Sequence, residues 1–271
     1  MSRAFTTLKY KIKTAAKKLL RITPEVVFIP AKSIRSQRID FTFNDKLLSI
    51  EADYTTPLYE TIAEIVDYDC YQLQKFPHQF SPDAAIIDIG ANIGIGSVIF
   101  STMTRGKVYC CEPMPANCRF IEKTKEINKA SNMVVVPKAV AGHTGTMKFQ
   151  MEEGVSVSAH AASAGLEKKG TTRTIEVESI SVRDLIDMTG TAPIALIKID
   201  CEGGEYDIMA QFDKSLSERI TAFTFEVHDL DESRNVRWIE SKMRELGYSV
   251  QKKDEMFKRS NLHHVLAYRE H

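Results

Sequence analysis

Residues 86–100, Ile-Ile-Asp-Ile-Gly-Ala-Asn-Ile-Gly-Ile-Gly-Ser-Val-Ile-Phe, constrain the fold of this 271-residue chain more than any other stretch. An apolar run ends on an acid, crosses a turn of Gly and Asn, and resumes with helical spacing, which reads as strand, tight loop, helix. Gly90 and Gly94 can adopt positive φ and let a ligand approach the backbone, and Asn92 is the residue that best tolerates that conformation after glycine. The spacing predicts a ligand-cradling turn at the end of a buried strand.

The acid at the strand end separates two ligands. A dinucleotide fingerprint needs G-x-G-x-x-G to seat a pyrophosphate on the helix N-terminus. Here Asn92 occupies the middle glycine position, no glycine follows at the required offset, and Asp88 would repel phosphate. A carboxylate suits a cation instead, such as the sulfonium and ammonium of S-adenosylmethionine. About twenty residues on, a second apolar run, Lys107 to Cys111, ends at Glu112-Pro113, an acid where a ribose diol would lie.

These features, together with Lys198-Ile199-Asp200-Cys201-Glu202-Gly203-Gly204-Glu205-Tyr206, resemble the FkbM-type S-adenosylmethionine-dependent methyltransferases. The resemblance covers roughly residues 83–227 and rests on three motifs in the family's order: D-x-G-A-N-x-G, Glu-Pro, and K-I-D-x-E-G-x-E. It implies an α/β fold, a Rossmann-like seven-stranded sheet with helices on both faces and a last strand that runs antiparallel. It implies S-adenosyl-L-methionine as cofactor, with Asp88, Gly90, Asn92 and Gly94 at the methionine end and Glu112 and Pro113 at the ribose. Backbone groups of Ala139 and Val140, after the third strand Met133–Val136, become candidate base contacts; a plain strand-to-turn link is the alternative. Acceptors in the family are sugars, glycolipids or polyketide-type products, so O-methylation of a hydroxylated small molecule or glycan is expected.

Residues 81–271 are expected to form the methyltransferase domain, and residues 1–80 an extension the shared fold does not require. The extension opens with a basic amphipathic helix whose stripe is Phe5, Leu8, Ile12, Ala15, Ala16 and Leu19. Packing on the body, peripheral membrane contact and targeting are its three readings. Strands follow at 26–29, 38–43 and 47–50, with Asn44-Asp45 as a hairpin turn, and Thr56-Pro57 opens a helix carrying Leu58, Ile62, Ile65, Val66 and Cys70 on one face. Farther on, 146–151 and 172–177 read as an inserted hairpin. Between them 156–165 is small and polar, a candidate lid containing His160.

The chemistry is expected at strand ends. Ala195–Ile199 runs into Asp200, Cys201 and Glu202, and Phe223–His228 ends with Glu226 and His228 projecting to one side. Asp200, Glu202, Glu226 and His228 are therefore the candidate catalytic residues. They admit three roles: a general base for an acceptor hydroxyl, ligands for a divalent cation, or a hydrogen-bonded network holding the strands. Glu205, in a first helical turn, reads as a capping acid. A helix follows with Asp231-Glu232-Ser233 as its cap and Gly247 as its stop. The adjacent His263 and His264 lack ligand spacing, and no metal site is assigned.

Charge limits the partners. Seven of the 36 basic residues fall in the first 21 positions without an acid, leaving 29 basic against 36 acidic groups for the remainder. An acidic body opposes extended nucleic-acid binding. The five cysteines lack C-x-x-C spacing, and no apolar run is long enough for a membrane span, so a cytoplasmic protein, peripheral to a membrane if the basic helix docks, is expected. A nicotinamide-dependent oxidoreductase on a similar sheet and a non-catalytic membrane-docking module are the competing classes.

Overall fold

The computed structural model describes residues 36–53, 56–75, 80–152, 159–161, 172–253 and 261–269. The basic helix expected in 1–21, the strand at 26–29 and most of the candidate lid lie outside these residues. Among the described residues no helix is long and apolar enough to cross a membrane.

Strands β1 (Ser36–Phe43) and β2 (Lys46–Asp53) form an antiparallel hairpin closed by Asn44 and Asp45, both at positive φ (47° and 61°). That pair of left-handed residues matches the twist a two-residue hairpin needs. Helix α1 (Leu58–Val66) buries Leu58, Ile62 and Ile65. It stops short of the expected stripe: Asp69 turns at φ 51°, so Cys70 reaches the core from a loop and not from the helix face.

The body then alternates: β3 (Ala85–Ile89), α2 (Ile95–Ser101), β4 (Val108–Cys111), α3 (Pro115–Ile127) and β5 (Met133–Val136). A four-stranded insertion follows, made of β6 (Ala139–Ala141), β7 (Gly145–Glu152), β8 (Ala159–Ala161) and β9 (Thr172–Ser181), in the order β6-β9-β7-β8. Within the expected lid, residues 159–161 are thus a short strand paired with 149–151. Helix α4 (Val182–Asp187) starts at Ser181, whose hydroxyl accepts the Asp184 N–H. Then come β10 (Ile194–Ile199), α5 (Glu205–Ala210), α6 (Lys214–Ser217), β11 (Ile220–His228), α7 (Val236–Glu245), β12 (Ser249–Lys252) and β13 (Leu262–Tyr268). The cap of α7 is Asn235, which accepts the N–H groups of Arg237 and Trp238; Asp231 instead closes its own turn onto Ser233 and Arg234.

The main sheet has the order β12-β13-β11-β10-β3-β4-β5. Strands β5, β4, β3, β10 and β11 are parallel, and β13 is antiparallel to both β11 and β12. The chain winds from β3 to one edge, then returns to the other side of β3, so the switch point lies between β3 and β10. Ligands in such sheets bind outside the carboxyl ends at that point. Alternate residues feed two cores. Ile86, Val108 and Leu196 face α2, α3, α1 and the hairpin's Phe41, Phe43, Leu48 and Ile50. Ile87, Ile197, Phe223 and Phe225 face α4, α5 and α7.

The hairpin therefore shares its core with the sheet, and polar contacts pin it: Asn128 accepts the Ser49 N–H at 2.8 Å and donates to the Ser49 carbonyl at 2.7 Å, as a neighbouring strand would. The turn into β4 is equally tight. A Cβ at Gly106 would meet the carbonyl oxygens of Ala84 and Asp83 at 2.4 and 2.5 Å. Gly106→Ala is expected to cost about 1–3 kcal/mol, a fall of roughly 2–4 °C in Tm per kcal/mol, measurable by thermal unfolding. An unchanged Tm would contradict the close approach.

Candidate functional site

The loop after β3 adopts the predicted left-handed turns, with φ of 79° at Gly90, 52° at Asn92 and 91° at Gly94. It is stitched to the neighbouring strand, since the Gly90 and Ala91 N–H groups donate to the Cys111 carbonyl at 3.1 and 3.0 Å. On its other side it nearly touches the loop after β10: a Cβ on Gly90 would lie 1.8 Å from the Asp200 carbonyl oxygen. The three strand ends bound a cleft of about 400 Å³, within the range of small-molecule sites.

Asp88, the carboxylate expected to suit a cationic ligand, is fully buried and already has a cationic neighbour. Lys198 stands directly across the β3–β10 ladder, and its Nζ lies 3.1 Å from Asp88 Oδ1 and 3.4 Å from Asp200 Oδ2. The ladder slips by one residue between Ile194 and Leu196, and this slip brings Lys198 opposite Asp88. Ser97 donates to Asp88 Oδ2 at 2.6 Å, and Lys198 donates to the Gly90 carbonyl at 2.8 Å. Burial opposes the ammonium's charge, but Asp200 and Asp88 outweigh it and hold Lys198 well above the usual lysine range. Two carboxylates to one ammonium leave the trio net negative, so the site still favours a cation through its total charge.

Glu112, at the tip of β4, accepts the Asn92 N–H and the Met114 N–H, each at 2.9 Å, and the Asn117 amide at 3.3 Å. Burial pushes its carboxyl up to about 7, against the lowering effect of those donors. Pro113 lines the cleft beside it, as do Ala139 and Val140 of β6. The backbone of those two residues runs beside Ser179 and Ile180 of β9, so the wall they present to the cleft is largely apolar.

The four candidate catalytic residues divide. Asp200 and Glu202 line the cleft; Glu226 and His228 do not, because β11 lies one strand beyond β10. His228 Nε2 is 3.5 Å from Glu202 and 3.6 Å from Glu226, and Nδ1 is 3.4 Å from Glu205. Burial works against a charged ring, yet Glu205, then Glu202 and Glu226, raise His228 to about 9. The surrounding carboxylates favour the protonated ring, which is the form that donates a proton and does not accept one. Glu226 is raised to about 7 by burial and by Asp200, and it bonds His264 at 3.2 Å.

Three contributors are absent from the sequence-derived set. Tyr71, from the segment after α1, donates its hydroxyl to Asp200 Oδ2 at 2.6 Å. Burial raises the Asp200 carboxyl, but Lys198 and the Tyr71 hydroxyl bring it below the usual aspartate range. Lys198 enters the sequence reading only as the first residue of the K-I-D-x-E-G-x-E segment, without its partners. Glu205 does more than cap a helix: fully buried, it accepts the N–H groups of Cys201 and Gly203 and braces the loop that holds Glu202 at φ 56°.

A family model described as Methyltransferase FkbM domain matches residues 88–250. No curated protein matches the chain. Among solved structures, methyltransferase FkbM from Methylobacillus flagellatus KT is 14% identical with a TM-score of 0.48, over 70% of this chain and 44% of that one. The precorrin-6y C5,15-methyltransferase of Geobacter metallireducens GS-15 is 14% identical with a TM-score of 0.43, over 71% of this chain and 83% of that one. The chain thus spans less than half of the Methylobacillus protein.

Proposed function

The chain belongs to the FkbM methyltransferase family, and on that premise we propose that it moves a methyl group from S-adenosylmethionine to a hydroxyl of a sugar, glycolipid or natural-product acceptor. The observation that carries the reading is the cleft itself: a positive-φ turn, a buried strand-end Glu112 and a net-negative Asp88–Lys198–Asp200 trio meet at the sheet's switch point. Their chemistry fits the cofactor. The turn leaves room for a bulky ligand against backbone, Glu112 retains acceptor capacity for a diol, and the trio's charge suits a sulfonium.

When bound, the cofactor supplies a methyl group already activated on sulfur, so the protein has alignment, dehydration and proton handling to do. Asp200 is the residue we assign to the acceptor hydroxyl. Tyr71 and Lys198 occupy its Oδ2, and among the described residues its Oδ1 takes no hydrogen bond. Asp200 is held ionised, so it orients the hydroxyl by accepting its hydrogen bond and takes the proton as the oxygen gains the methyl. Glu202 is the second carboxylate on the same wall. The acidic body supports a small or glycan acceptor over a nucleic acid.

Titration calorimetry with S-adenosylmethionine, S-adenosylhomocysteine and NAD tests the cofactor, and pH sharpens it. A diol bonds the ionised form of Glu112, so the affinity of both adenosyl ligands is expected to rise about tenfold from pH 6 to pH 8, through the value near 7. Glu112→Gln should abolish that rise. Binding of NAD in place of the adenosyl ligands would overturn the reading. Transfer of labelled methyl to hydroxylated acceptors, recovered as a methyl ether, supports the oxygen chemistry; recovery on nitrogen refutes it.

A further inference from the structure

Behind Tyr71, away from the cleft, three ligand-type side chains from three separate elements converge. Glu64 comes from α1, Glu226 from β11 and His264 from β13, and one ligand atom of each lies within 4.8 Å of the other two. The sheet register fixes two of them, because Glu226 and His264 are directly opposed across the β11–β13 ladder. Opposed residues of an antiparallel pair present their side chains to the same face. Helix α1 brings the third. The group differs from the set of Asp200, Glu202, Glu226 and His228 that the sequence suggests: His228 lies among Glu205, Glu202 and one oxygen of Glu226, while His264 meets the other oxygen of Glu226 at 3.2 Å.

We propose that Glu64, Glu226 and His264 form a binding site for a divalent first-row transition ion of the Mn²⁺ to Zn²⁺ series, which fastens α1 to the β11–β13 strand pair of the sheet. Two carboxylate oxygens and one imidazole nitrogen form a mixed set that such ions accept, whereas Mg²⁺ and Ca²⁺ prefer all-oxygen shells. Ligands about 2.0–2.2 Å from a common ion lie roughly 3–4 Å apart. The three atoms are already near that spacing, and the two glutamates have the rotatable reach to close the remainder. None of the three residues is fully buried, which leaves the ion a path in. The ion would act at a distance from the reacting atoms. The ring of Tyr71 stands edge-on to His264 at 6.4 Å between centroids, and its hydroxyl holds Asp200, so a fastened α1 edge also fixes the residue that orients Asp200. This site is independent of the methyl-transfer reading.

The test uses the full-length chain stripped with chelator and titrated with Zn²⁺, Mn²⁺ and Mg²⁺ as their chlorides. Wild type is expected to bind about one equivalent of Zn²⁺ or Mn²⁺ and little Mg²⁺, and to gain thermal stability on loading. Glu64→Gln, in the one ligand that comes from a helix and not from the sheet, should weaken binding about tenfold or more, and His264→Gln likewise. If His264→Gln fails to fold, Glu64→Gln and the ligand-field spectrum of Co²⁺-loaded wild type decide. Stoichiometric uptake lost in Glu64→Gln supports the site. No stoichiometric uptake by wild type, preference for Mg²⁺, or undiminished binding by Glu64→Gln overturns it.

Discussion

Replacing Lys198 with Met is expected to destabilise the protein by about 3–5 kcal/mol, the largest loss of any single change at the site. The side chain is 5% exposed and sits between two carboxylates. Methionine preserves the length and removes the charge, leaving Asp88 and Asp200 as neighbouring anions with no ammonium. The sign of the pH dependence separates this cause from lost packing. In the wild type the Lys198 value is raised, so its contribution is present below the ordinary lysine value and lost above it. The Asp200 value is lowered, so its contribution is present above the ordinary aspartate value and lost in acid. In the variant Asp200 gains a reason to hold a proton, and its contribution runs the other way, recovered as pH falls. Glu112 and Glu226 favour the acidic side in both proteins, so the readout is the difference between the two stability curves. That difference should shrink between pH 8 and pH 5. A gap independent of pH would mean that Lys198 acts by volume alone.

The same trio marks the limit of what the residues disclose in advance. The turn after β3 was legible because only Gly and Asn fit its backbone, a property local to five residues. The sheet was legible through the resemblance to the FkbM family, which three motifs at strand ends carry. The partner of Asp88 was not, since it depends on strand order and on a one-residue slip in the β10 ladder. Tyr71 lies 129 residues from Asp200, in an extension the shared fold does not require, and a tyrosine in such a segment carries no periodic signal. His228 read as a base, a metal ligand or a member of a hydrogen-bonded network, with no way to choose among them. What favours its protonated form is chiefly Glu205, which sequence position marks as a helix-capping acid and which the fold turns inward against the ring. In each case the local conformation was predictable and the electrostatic partner, supplied from another strand or helix, was not.

Gly90→Ala should abolish cofactor binding more completely than any change that leaves the charges intact. Two penalties combine there. Alanine at φ 79° is strained, by about 1–3 kcal/mol, and its Cβ would lie 1.8 Å from the Asp200 carbonyl oxygen, which is backbone and has no rotamer to yield. Relief requires the β3 and β10 loops to part, and these loops are two walls of the cleft. A displacement of this kind, on the order of an ångström, weakens function about a hundredfold, so calorimetry should record at least that loss of S-adenosylhomocysteine affinity. Gly94→Ala is the control. It has a comparable φ of 91°, but its Cβ would approach nothing nearer than the Ile121 side chain at 3.4 Å. It should lose stability through strain and keep most of its affinity. Equal loss in the two variants would assign the effect to backbone conformation. A loss confined to Gly90→Ala would identify the contact between the loops as the feature that shapes the pocket, because only there does a single methyl group force the two strand ends apart.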